Sequence, residues 1–272
     1  MTDLVTITVD NGVADVRLNR ADKYNALSPE MFSAIIAAGE KLQMARDVRA
    51  VVLSGNGPGF CAGLDMTSMQ GLGKGSSGSA SGGTPNLLRR DMERPENHAQ
   101  RPAFIWRKVP MPVICAIHGV AYGGGMQIAL GSDVRIAAPD AKMSVMEIKW
   151  GLIPDMGITQ SLRDLVPMDV AKELTFTGRI FSGTEAQQLG LVTYVDQNPL
   201  QRALSIAREI AGKNPDAIRR GKELFEKSWR AEPRAGLELE AKLQMELIGS
   251  ANQAEAVKAN FEKRSPNFKD PV

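Results

Sequence analysis

The sequence predicts an α/β fold in which short strands alternate with helices. Three observations carry that prediction. Asn11-Gly12 separates two alternating runs at 5–9 and 13–18, the pattern of a tight hairpin. Apolar runs of strand length recur at 49–54, 112–117, 133–137 and 191–195, with helix-period segments between them. The run at 112–117 leads through a sharp turn into Gly123-Gly124-Gly125 and then the apolar start of a helix, Met126-Gln127-Ile128-Ala129-Leu130.

In chain order, 19–27 is polar and reads as a loop. Ser28-Pro29 starts a helix as N-cap and first helical residue. Met31, Ile35, Ala38 and Leu42 recur on one buried face of that helix. Gly55-Asn56-Gly57-Pro58-Gly59 is a loop by composition, followed by Phe60-Cys61-Ala62-Gly63-Leu64-Asp65. The Gly/Ser-rich stretch 71–85 reads as a flexible surface insert, or as a lid that orders on substrate. Segment 86–108 is helical in part. Helices are expected near 168–176, 184–189 and 251–263, and the chain is helical in pattern from Pro199 onward. The domain reading is a core at 1–198 and a helical packing or oligomerisation region at 199–272.

Composition narrows the function classes. The 272 residues are 43% hydrophobic and 24% charged, with a net charge of +2, an ordinary globular balance without a nucleic-acid footprint. The most basic run, Ile218-Arg219-Arg220-Gly221-Lys222, is short and interleaved with acids. No apolar run approaches the ~20 residues of a membrane span. No basic-plus-apolar leader opens the chain and no peroxisomal address closes it. Cys61 and Cys115 lie in apolar runs and read as reduced, buried thiols. The expectation is a cytoplasmic protein. Two histidines without ligand spacing argue against a metal site. His118 reads as structural.

Three consecutive glycines are costly in backbone entropy. Ahead of a helix they leave the first N–H groups unpaired and pointing outward, a donor site for developing negative charge. A strand-to-helix turn needing positive φ is the plainer reading. No Lys-Ser/Thr pair follows, so this is not a nucleotide phosphate loop.

Four segments, taken in order, resemble the enoyl-CoA hydratase/isomerase (crotonase) family. They are Val51-Val52-Leu53-Ser54-Gly55 with 60–65, then 116–127, then 146–157, and the ending Phe261-Glu262-Lys263-Arg264-Ser265-Pro266-Asn267-Phe268. The 71–85 insert makes the 66–110 region longer than the family usually has. The resemblance implies a spiral of ββα units with a C-terminal helical region, assembled as a homotrimer or homohexamer. It implies acyl-CoA thioester substrates and no cofactor beyond the coenzyme A that the substrate carries. It implies an enolate oxyanion held by the backbone N–H groups of Leu64 and Gly124. Ala62 and Asp65 fall where the family contacts adenine and pantetheine. Lys263 and Phe261 fall where a neighbouring subunit's tail reaches the coenzyme phosphates; a solvated helix-end lysine is the plainer reading of Lys263.

Hydratases of the family use two glutamates. Here the first position is Gln127, whose amide can hold a water but cannot take its proton. The second is kept as Glu147, whose apolar neighbours imply burial and a raised pKa. One carboxylate beside an oxyanion site suits proton shuttling, hence double-bond isomerisation of 3-enoyl or dienoyl type. Asp155, eight residues on, matches a second acid of the dienoyl-CoA isomerase branch, which also carries an aspartate at the Gln127 position. Asp155 reads equally as a helix N-cap. The alternatives are a 2-enoyl-CoA hydratase working with Glu147 alone, and an acyl-CoA-binding protein with little catalysis. Trp106 and Trp150 are candidates for the acyl wall, or core residues.

Overall fold

The hairpin signal is realised first. Strands β1 (Val5–Asp10) and β2 (Val13–Leu18) pair antiparallel across Asn11 and Gly12, whose φ values are 49° and 76°. Both central residues with positive φ make the turn that matches strand twist. In this computed structural model residues 3–65, 88 and 93–271 are described. The Gly/Ser-rich 71–85 stretch lies outside them.

Helix α1 (Pro29–Met44) follows, and the Ser28 side chain accepts from the Met31 N–H as its N-cap. Strand β3 (Ala50–Gly55) lies parallel to β2, β4 (Val113–Ile117) parallel to β3, β6 (Val134–Ala137) parallel to β4, and β9 (Tyr194–Val195) parallel to β6. These form one six-stranded sheet in the order β1-β2-β3-β4-β6-β9. A smaller sheet holds β5 (Val120–Tyr122), β7 (Lys142–Ser144) and β8 (Phe181–Ser182). Cys61 bridges to Ala121 beside it. Successive passes of the chain therefore place one segment in the large sheet and the next in the small one: β3 then Cys61, β4 then β5, β6 then β7. This winding is the spiral of strand pairs.

The helices between are α2 (Arg101–Lys108), α3 (Gly124–Leu130), α4 (Ile158–Leu162), α5 (Met168–Thr177) and α6 (Gly183–Gln188). Four more close the chain: α7 (Pro199–Ala211), α8 (Pro215–Ser228), α9 (Pro233–Leu247) and α10 (Ala251–Phe261).

Alternation sorts the large sheet's side chains onto two faces. Val51 and Leu53 of β3 join the main core with Leu18, Met31, Trp106 and Met126. Ala50 and Val52 face the other way, with Ile114, Ile136 and the α7 residues Ala203, Ala207 and Ala211. Because both faces are covered, β3 and β4 read as unbroken apolar runs. Helix α7 is thus a lid on the sheet, so the helical region expected from 199 begins with an element of the core. Two boundaries also shift. Strand β9 keeps only two residues of the run expected at 191–195, since Leu191 and Val192 pack into the core ahead of it. The last helix ends at Phe261, and Lys263 turns left-handed at φ 51°.

Candidate active site

The site forms where three loops meet at the N-terminus of α3. Tyr122 ends β5, and its N–H donates to the Cys61 carbonyl while the Cys61 N–H donates to Val120. This stitches 60–65 alongside the glycine run. Gly123 adopts φ 50° and its N–H donates to Ser144, which turns the chain sharply from β5 into α3. A side chain is also excluded by space at Gly125, where a methyl would sit 2.3 Å from the Cys61 carbonyl oxygen. A methyl on Gly63, which has φ 83°, would lie 3.6 Å from the Gly124 nitrogen. The backbone of 63–64 therefore faces the first amide of α3. The Leu64 and Gly124 N–H groups donate to no acceptor among the described residues.

The 59–65 segment is held from behind by Asn25, which sequence reading left inside an unassigned polar loop. Asn25 is fully buried at φ 55°. Its Nδ2 donates among the Asn56, Gly59 and Phe60 carbonyls at 2.9–3.0 Å, and its Oδ1 accepts from the Arg20 N–H. Leu27 completes the tie: its N–H donates to Gly63, and its carbonyl accepts from the Asp65 N–H. The Asn-Ala-Leu string at 25–27 carries no periodic signal, so only the long-range pairing reveals its task.

Gln127 is 2% exposed, on the first turn of α3. Its Oε1 accepts from the Met156 N–H at 2.8 Å, and its Nε2 donates to Glu147 Oε1 at 2.6 Å. Glu147 opens a one-turn 3₁₀ helix (Glu147–Trp150) that ends at Gly151, φ 69°. Its other oxygen, Oε2, is buried and has no hydrogen-bond partner among the described residues. Burial pushes the Glu147 carboxyl above its ordinary range; its own backbone N–H and Gln127 oppose the rise, and the nearby Asp155 charge adds to it. Asp155 is raised too, chiefly by desolvation, although its residue is exposed in the single chain.

Asp155 is not a helix cap. The residue preceding α4 is Gly157, left-handed at φ 83°, and no side chain caps that helix. Leu27 and Met156 wall the glycine run, each 2.8 Å from where a methyl on Gly124 would stand. Neither was singled out from sequence. Trp106 is fully buried core, whereas Trp150 is exposed with the Lys149 ammonium over its ring, not packed inside.

The structure thus brings Leu64, Gly124, Gln127, Glu147 and Asp155 into one place. Ala62 and Asp65 flank the site on the 60–65 segment, whereas no hydrogen bond among the described residues joins Phe261 or Lys263 to it. Asp65 is 9% exposed, and its carboxylate pairs with Arg20 at 2.6 Å. The Ala62 N–H donates to Tyr24. Phe261 is 84% exposed at the end of α10, and no hydrogen bond or ion pair among the described residues joins it or Lys263 to Glu147. The His118 ring contacts the Gly57 carbonyl at 2.9 Å, a loop tie. Two cavities of about 510 and 500 Å³ lie elsewhere, against α8, lined by Arg107, Lys222 and Glu226 among others. Neither is lined by any of the expected site residues. Among the described residues, no three His, Cys, Asp or Glu side chains are grouped to hold a metal. No helix there is long and apolar enough to cross a membrane.

The arrangement sets two backbone amides that have no acceptor among the described residues near a half-buried carboxyl whose proton affinity is raised by burial, with a second acid whose charge acts on it. The sequence profile of the enoyl-CoA hydratase/isomerase family matches residues 8–271. A peroxisomal Delta(3,5)-Delta(2,4)-dienoyl-CoA isomerase of Arabidopsis thaliana is 33% identical over 270 residues, covering 98% of this chain and 96% of that protein. A mitochondrial methylglutaconyl-CoA hydratase of Mus musculus is 32% identical over 267 residues, covering 96% and 80%. The crystal structure of an enoyl-CoA hydratase from Bacillus anthracis superposes with a TM-score of 0.85 at 29% identity, covering 98% of this chain and 99% of that one.

Proposed function

The chain belongs to the enoyl-CoA hydratase/isomerase family, and from that premise we propose that it moves the double bond of an enoyl-CoA thioester, of 3-enoyl or 3,5-dienoyl type. One observation carries this reading over hydration. Where a hydratase of the two-glutamate kind has a second carboxylate, this chain has Gln127, and that amide is bound to Glu147 instead of standing free.

In the proposed reaction the thioester carbonyl oxygen sits between the Leu64 and Gly124 N–H groups. Glu147, ionised, takes a proton from the carbon next to the carbonyl through Oε2. The electron pair spreads into the carbonyl and the adjoining double bond as a dienolate, whose oxygen the two amides stabilise. Such donors are worth about 3 kcal/mol each when removed elsewhere. Glu147 then returns the proton two carbons further along, and the double bond shifts toward the carbonyl. For a 3,5-dienoyl chain the far end is protonated by Asp155 acting as the acid, which its raised pKa supports; Glu147 keeps the proton it took, and exchange with solvent at the exposed Asp155 and loss from Glu147 reset the pair. The name of the Arabidopsis relative agrees with this longer reach.

Hydration of a 2-enoyl thioester is the second reading. It is favoured by the remaining hydrogen of Gln127 Nε2, which could hold a water, and by the hydratase relatives. Ala62, Asp65, Lys263 and Phe261 stay as proposed coenzyme A contacts, the last two from a neighbouring copy in a trimer or hexamer. The test is a parallel assay on 2-enoyl-, 3-enoyl- and 3,5-dienoyl-CoA. Isomerisation of one of the latter two is expected to be fastest. Hydration of the 2-enoyl thioester as the fastest reaction would overturn the proposal, and binding without turnover would point to a carrier.

A further inference from the structure

We infer that Gln127 is a positioning residue: its one amide locks Glu147 and the backbone that carries Asp155 to each other, and it selects Oε2 as the oxygen of Glu147 that moves the proton. The inference rests on the isomerase reading above.

The polarity of the amide decides the matter. A backbone N–H can only donate, so Met156 must face Oε1 of Gln127, at 2.8 Å. The NH₂ end is then turned to Glu147, where it donates at 2.6 Å. A flipped amide would set two donors against each other at Met156 and two acceptors against each other at Glu147. Glu147 Oε1 is therefore spent as an acceptor. It also lies against the start of α3, since a methyl on Gly123 would come within 3.3 Å of it. Oε2 is left buried and unpartnered among the described residues. Met156 directly follows Asp155, so the same amide anchors both acid-bearing segments to the helix that presents the Gly124 N–H. Asp155 is the charged group whose field reaches Glu147. At 2% exposure Gln127 has little room to exchange these partners for water.

A glutamate at 127 separates positioning from mere packing. It has nearly the same shape and can still accept from Met156. It has no hydrogen for Glu147 unless the pair shares a proton, because two carboxylates at this distance do not both ionise readily. The experiment measures deuterium uptake from D₂O into 3-hexenoyl-CoA, together with kcat, KM, the pH profile and melting temperature, for the parent, Gln127→Glu, Gln127→Leu and Glu147→Gln.

Gln127→Glu is expected to lose about 100-fold in kcat at neutral pH with KM little changed. Its acidic limb should move up by about one pH unit or more. Gln127→Leu is expected to lose at least as much in kcat with a smaller upward limb shift, since it removes the hydrogen bond that opposes the rise at Glu147 but adds no second carboxylate. A Gln127→Glu enzyme with an unmoved limb and a parental kcat overturns the inference. Should that variant fail to fold, parental kcat in Gln127→Leu overturns it equally. If Glu147→Gln is inactive while the Gln127 variants match the parent, the isomerase reading stands and the positioning role falls. If Glu147→Gln keeps the parental rate, the isomerase reading itself falls and takes the inference with it.

Discussion

Glu147 keeps its proton to higher pH in the folded chain than in the unfolded one, because burial disfavours its charge. The sign follows by linkage. Stability from this group is fully present below the ordinary carboxyl value of 4.5 and is lost as pH rises through the raised folded value. Asp155, shifted the same way, adds to that loss. Glu147→Gln cannot titrate, and its side-chain oxygen still accepts from Gln127. It should therefore melt higher than the parent near pH 8, with the advantage shrinking toward pH 4. Melting curves at both values check this. A variant whose advantage grows toward acid would contradict the burial argument.

At the scale of the element, α3 does two jobs with adjacent glycines, and the two can be separated. A methyl on Gly125 meets the Cys61 carbonyl at 2.3 Å and Cys61 Cβ at 2.7 Å, and that backbone is pinned by the bridge to Ala121. The nearest atoms to a methyl on Gly124 are in the Leu27 and Met156 side chains, not in backbone. Gly125→Ala should cost about 1–3 kcal/mol of stability or more. Gly124→Ala should melt closer to the parent yet lose activity, since displaced Met156 holds Gln127 in register. Thermal melts paired with rates test this; equal melting temperatures for the two would contradict it. What was legible in sequence divides at the same place. The Asn-Gly hairpin, the Ser28 cap and the apolar strands are local signals and form as read. The strand–turn–glycine–helix stretch stood out in sequence because its cost needs a reason, and it forms as read. The Gln127 bridge between 147 and 156 and the Asn25 clamp were not. They join residues 20 to 35 positions apart through side chains, and no periodicity records such pairs. Asp155 shows the opposite failure: a local cap pattern pointed to it, and Gly157 with positive φ starts the helix instead.

Over the described residues, many charges are paired within the chain. The most basic run is occupied: Arg219 donates to the Ala45 and Val48 carbonyls, Arg220 pairs with Glu223 and Glu246, and Lys222 is tied to Asp133, Trp106 and Met111. Apolar surface is not spent. Phe225, Trp229, Met245 and Phe261, on or directly after the last three helices, are each at least 61% exposed. Such exposure is costly for a lone chain. We expect other copies of the chain to cover it, as in the trimer or hexamer the family resemblance implies. Sedimentation equilibrium should return three or six chain masses, and a single 29.4 kDa species would contradict the expectation. In the proposed reaction, the glycine helix and the amide that holds one oxygen of Glu147 bear on a single proton transfer. The most direct test is the rate of double-bond migration in 3-enoyl-CoA catalysed by Glu147→Gln beside the parent. A loss of about 10²–10⁴ in kcat, with KM and fold kept, is the predicted result for a general base. A rate within about tenfold of the parent, less than ~1.4 kcal/mol, would contradict the assignment of the proton to Glu147.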